Sequence, residues 1–142
     1  MQKAIRKIKE FLKEDAIVGG MFDRYDIPLS ALGKVEICFT DLPVSAKTKD
    51  CVIYINSAFL EDGSFSDEIH YIVHELCHWC QQLTGDKYDL VPSETLDYLE
   101  IPAELEAFGF QIRFMRDFYG EDRAEDYLED LLDFHDYVGE GR

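Results

Sequence analysis

Basic side chains are scarce in this 142-residue chain: 14 Lys and Arg stand against 30 Asp and Glu, for a net charge of −16. A surface of that sign repels phosphate backbones and anionic membranes, so nucleic acid is not expected as a partner unless the protein imitates it. Long hydrophobic runs are missing too, and none approaches the ~20 apolar residues of a membrane span. The opening stretch MQKAIRKIKEFLKEDA lacks the apolar segment and small-residue cleavage site of a signal peptide, so a cytoplasmic protein is expected. Thiols stay reduced in that compartment. The four cysteines (Cys38, Cys51, Cys77 and Cys80) could make two disulfides in number only, and Cys38 and Cys51 lie in strand-like runs that suit buried free thiols. No internal repeat, low-complexity tract or linker divides the chain, and its length suits a single domain over residues 1–142.

What is present is an ordinary share of apolar residues, 46%, enough for one packed core. Residues 2–16 repeat Ala4, Ile5, Ile8, Phe11 and Leu12 at helical spacing, and Gly19-Gly20 would end that helix. Residues 23–33 read as loop. KVEICFT (34–40) and CVIYINS (51–57) read as strands, while DLPVSAKTKD between them is too polar and broken to be regular. Ser66 could cap a helix over about 67–83, ended by Thr84-Gly85. Residues 86–101 are mixed, with a short helix expected around 94–99. Pro102 suits the first turn of a helix running to about 118, with Gly120 beyond, and a last amphipathic helix covers about 122–137. The order implies an α+β fold: a small sheet beside a central helix, with further helices covering the core.

That central helix carries IHYIVHELCHWCQQL (69–83), in which His74, Glu75 and His78 form an H-E-x-x-H. Positions four apart fall about 40° apart on a helix, so the two imidazoles share a face and can bind one tetrahedral Zn²⁺. Glu75 lies beside that face, placed to take a proton from a water instead of touching the metal. Ile69, Ile72, Val73, Leu76, Trp79, Cys80 and Leu83 gather opposite, which leaves the histidines facing a surface or cleft. His70, a turn upstream, is expected to be solvated or paired with an acidic neighbour. Cys77-x-x-Cys80 lacks the second pair of a zinc ribbon and sits mid-helix, so both thiols read as packing residues.

A catalytic zinc usually takes a third protein ligand. IPAELEAFGFQIRF (101–114) offers Glu104 and Glu106. Ala103, Ala107, Phe110 and Phe114 form the core stripe of that helix; Glu104 borders it beside Phe108, Gln111 and Met115, whereas Glu106 joins Arg113 and Asp117 on the expected solvent face. A carboxylate among apolar side chains needs a cation, which favours Glu104. The acidic run EDRAEDYLEDLLDFHD lacks the spacing and central glycine of a calcium loop and reads as a solvated helix face.

HELCH followed by ELEAF resembles the gluzincin zinc metallopeptidases, and is most similar to the small single-domain minigluzincins and compact phage and bacterial HExxH domains. The resemblance covers about residues 50–116. It implies metal ligands His74, His78 and Glu104, general base Glu75, and CVIYINS as the edge strand that binds extended peptide. Gln81 matches the glutamine such domains tend to carry after the second histidine. Phe108 stands where the family often has an Asp or Asn supporting a histidine, and Gln111 is the candidate to replace it. Family members often add a Tyr or His that stabilises the oxyanion; Tyr98, Tyr88 and His135 are available, with Tyr98 preferred and His135 better suited to the core stripe of the last helix. Two functions from different classes follow: a zinc peptidase acting on a peptide or protein substrate, or a non-enzymatic acidic interaction module, a possible nucleic-acid mimic, with zinc absent or only structural.

Overall fold

Two helices and a turn precede any strand. The computed structural model describes residues 2–61, 65–84 and 102–134. Helix α1 (Gln2–Lys13) buries Ile5, Ile8 and Leu12 and keeps Lys3, Lys7 and Lys13 outside. It stops where Asp15 begins a new helix: the Asp15 carboxylate accepts from Ile17 N at 2.9 Å and Val18 N at 3.1 Å, capping α2 (Ala16–Arg24). Gly19 and Gly20 therefore lie inside α2 and do not end a helix. Buried Val18, Met21 and Phe22 hold α2 in the core, which offsets a glycine cost of about 1 kcal/mol each. Part of the expected loop is a 3-10 turn, Leu29–Lys34.

Three strands follow: β1 (Glu36–Thr40), β2 (Ala46–Lys49) and β3 (Val52–Asn56), in the order β1-β3-β2. Strand β3 pairs parallel with β1 and antiparallel with β2. It is central because its alternation buries Ile53 and Ile55 completely, each worth about 1.5–3 kcal/mol. Ile37 and Phe39 of β1 join them on the same side. Strand β2 (AKTK) comes from the stretch expected to be irregular. Its lysines point outward, while Ala46 and Thr48 stand opposite Ile55 and Ile53 on the inner side. The turn into β3 places Asp50 and Cys51 at φ of 52° and 62°, and Gln82 braces it, accepting from Cys51 N at 2.8 Å.

Beyond α3 (Ala58–Glu61), the long helix α4 (Phe65–Thr84) crosses the inner face of the sheet. Ser66 lies within α4 and not at its cap. Ile69, Ile72, Val73, Leu76, Trp79 and Cys80 enter the core as expected, with Trp79 stacked on Phe22, whereas Leu83 is half exposed. Helices α5 (Pro102–Phe118) and α6 (Glu121–Phe134) complete the described fold, α5 packing along α4 and α6 along α5. Gly120, at φ 112°, makes the corner between them. The architecture is α+β. The short helix expected at 94–99 lies outside the described residues. No helix among the described residues is long and apolar enough to cross a membrane.

The cysteines are free, Cys77 and Cys80 buried; Cys38 is exposed and Cys51 only partly covered, contrary to the expected burial of both. Cys38 falls on the outer side of β1, opposite in phase to Ile37 and Phe39.

Candidate metal centre

His74 and His78 project one turn apart from α4 toward the first turn of α5, where Glu104 meets both. Glu104 Oε1 lies 3.0 Å from His74 Nε2 and 2.9 Å from His78 Nε2, and the two Nε2 atoms are 3.2 Å apart. Of the surface or cleft expected to face the histidines, an open surface is not what forms. Both are buried, at 5% and 8% exposure, because α5 lies over them and the edge of Phe108 packs on the His74 ring at 4.4 Å between centroids.

The other nitrogen of each ring is held by a glutamine. His78 Nδ1 is 2.8 Å from Gln81 Oε1, and His74 Nδ1 is 2.8 Å from Gln111 Oε1. Gln81 Nε2 donates to the carbonyl of Ala103 at 3.1 Å. A carbonyl only accepts, so the Gln81 amide is oriented with its oxygen toward His78, and His78 Nδ1 carries the hydrogen. Gln111 Nε2 likewise donates to His70 Nδ1 at 2.7 Å and to Tyr127 Oη at 3.0 Å. In the neutral rings, both Nε2 lone pairs therefore converge with a carboxylate oxygen, three acceptors with no donor among them.

Such a convergence requires a positive charge. Without a metal, a proton shared with Glu104 supplies it. Burial opposes charge on His78, but the hydrogen bond and charge of Glu104, with the nearby Glu75, outweigh it and raise the His78 pKa. Burial would raise Glu104, yet hydrogen bonds from His74 and His78 bring it down to about 2. The triangle also suits a metal: tetrahedral zinc with bonds of about 2.0–2.1 Å sets its ligand atoms roughly 3.3 Å apart. His74, His78 and Glu104 form a group fit to hold such an ion.

Glu75, 9% exposed, sits beside this group on α4 and meets β2: Thr48 Oγ1 is 2.8 Å from Glu75 Oε1 and 3.0 Å from its backbone oxygen. Nothing in AKTK marked Thr48 for that place. His70 is neither solvated nor paired with an acid. It is buried behind Gln111, among the rings of Tyr71, Tyr119 and Tyr127. Burial, then the charges of Arg123 and His74, lower its pKa to about 4.

Glu106 does not face solvent as its helical position suggested, because α2 packs on that side of α5. Tyr25 Oη donates to Glu106 Oε1 at 2.6 Å, and Arg24 Nε lies 3.4 Å from the same oxygen. Glu106 also lines a cavity of about 770 Å³ between α2 and α5, whose walls include Arg24, Leu105 and Phe110 and none of the three converging residues. Tyr88, Tyr98 and His135 lie outside the described residues. Comparison with protein-family models, curated proteins and solved structures returns no significant match.

Proposed function

We propose that this chain is a zinc-dependent metallopeptidase of gluzincin type, with His74, His78 and Glu104 holding the metal and Glu75 acting as general base. The observation that carries the reading is the convergence of three acceptor atoms from two helices, with each imidazole locked from behind by an amide. A bound zinc ion would supply Lewis acidity, polarising a carbonyl and lowering the pKa of a water to near neutrality. Glu75 takes a proton from the attacking water and passes it to the leaving amine, while Thr48 orients its carboxylate. A structural zinc closes all four positions with protein ligands, whereas a catalytic one takes three, the number brought together among the described residues.

The substrate is a peptide or protein segment in extended form, and the site of action is the cytoplasm. The strand that would receive it is β2 and not CVIYINS: β3 has partners on both sides, whereas β2 is an edge strand and touches the general base through Thr48. An extended peptide adding to that edge has its backbone beside Glu75. The reading is tested by metal content of the purified chain beside Glu104→Ala, followed by peptide-library cleavage beside Glu75→Gln. One zinc per chain, lost in the first variant, and hydrolysis abolished in the second with zinc retained, are the expected results. A wild type that takes no zinc overturns the reading and leaves the acidic interaction module. Zinc without cleavage of any library peptide overturns the peptidase assignment.

A further inference from the structure

A chain of hydrogen bonds, buried as far as Tyr25, leads from the metal centre to Glu106. Each link has a direction. Glu106 is a carboxylate held beside Arg24, so it accepts, and the Tyr25 hydroxyl directs the single proton it carries to Glu106 Oε1 at 2.6 Å. The Tyr25 oxygen is then left with lone pairs, and Gln81 Nε2 donates to it at 3.3 Å. The Cys77 thiol, 3.6 Å from Tyr25 Oη, is too weak a partner to compete with the carboxylate. Gln81 directs one amide hydrogen to Ala103 O and the other to Tyr25 Oη, with the weaker acceptor Cys77 Sγ beside it at 3.6 Å, which leaves its oxygen for His78 Nδ1–H at 2.8 Å. His78 Nε2 is thereby presented as an acceptor toward Glu104 and His74.

We infer that Glu106, acting through Tyr25 and Gln81, is a positioning residue that works together with the Ala103 carbonyl to fix which nitrogen of His78 is free to bind the metal. The inference rests on the zinc reading above and adds Tyr25, which caps the end of α2, and Glu106 on the far side of α5. If Glu106 could donate, Tyr25 could turn its proton toward Gln81. Two donors would then face each other in a buried space, and relief by turning the Gln81 amide would set its oxygen against Ala103 O and its NH₂ against His78 Nδ1–H. Glu106→Gln introduces such a donor, and Tyr25→Phe removes the link.

The experiment measures zinc affinity of the full chain by chelator competition for wild type, E106Q, Y25F and the double variant, with melting of the metal-free proteins alongside. Each single variant is expected to weaken zinc by about tenfold, the lower end of what residues behind a ligand contribute. The double variant should be no weaker than Y25F alone, since Glu106 has no route to His78 once the hydroxyl is gone. In the zinc-loaded wild type the Nδ1–H of His78 should be visible by ¹⁵N NMR, and it should be broadened or lost in E106Q. Where Y25F does not fold, Gln81→Glu takes its place: a carboxylate accepts from His78 whichever way Tyr25 points, so E106Q should have no further effect in that background. Single variants within about twofold of wild type overturn the inference, as does an E106Q effect that persists undiminished in Y25F, which would be a direct charge effect. A wild type that binds no zinc overturns the metal reading and this inference with it. A wild type that binds zinc beside unchanged variants overturns this inference alone.

Discussion

Thr48 on edge strand β2 and Glu75 on α4 share a hydrogen bond of 2.8 Å, which places the strand proposed to take substrate against the proposed base. The same hydroxyl is 3.0 Å from the Glu75 backbone oxygen, so its single proton can serve either acceptor. Thr48→Val keeps the shape and removes that donor. The expected outcome is peptide hydrolysis lowered by roughly tenfold, a fraction of what a general base contributes in full. Zinc content should be unchanged, and Thr48→Ser should restore the rate; turnover and metal content measured on the same samples check this.

Gln111 touches His74, His70 and Tyr127 from one amide. Gln111→Leu leaves a buried imidazole N–H without its acceptor and should weaken zinc about 10–100-fold. Chelator competition gives the number, and an affinity equal to wild type would show that His74 is held by packing alone.

His70 predicts an acid-sensitive step. Its folded pKa is brought down to about 4, chiefly by burial. The unfolded ring titrates near 6.5, so below that pH the unfolded chain binds a proton that the folded one refuses. Stability from this group is therefore complete above pH 6.5 and falls as pH drops toward 4, by about 3 kcal/mol at most. Denaturant unfolding of wild type and His70→Asn across that window should show the slope in the first and its reduction in the second.

The thiols should separate by reactivity. Cys38 is exposed and Cys51 partly so, whereas burial pushes the Cys77 thiol up to about 12 and raises Cys80 as well. Alkylation of the native protein followed by mass spectrometry should mark Cys38 first and Cys51 more slowly. Cys77 and Cys80 should react only after unfolding.

The H-E-x-x-H stretch and Glu104 were legible in sequence because helical spacing is a local rule, and it put His74 beside His78 without reference to the rest of the fold. Gln111 was legible for the same reason, one helical repeat beyond Glu104. Strand β2 was not. AKTK has no apolar run, and it forms a strand because β3 pairs with it and α4 packs on its inner side. Glu106 and His70 were misplaced by a similar limit. A helix taken alone shows which side is polar, but not that α2 will cover Glu106 or that α5 and α6 will close over His70. Gly19-Gly20 suggested an end to the first helix, yet the break came earlier, at Asp15, whose side chain starts the next one.

The proposed ligands are far apart along the chain: Glu104 is 26 residues from His78 and 30 from His74. An ion gripped by all three would act as a removable clip between residues distant in sequence, tying α5 to α4. Through Gln111 and Tyr127, α6 shares that fastening. Chelation should therefore release one end of the molecule as a unit, with amide hydrogens of α5 and α6 exchanging together while those of β3 and α2 stay protected. Metal supply in the cell would then govern how long that end survives a protease, as well as whether the site can work.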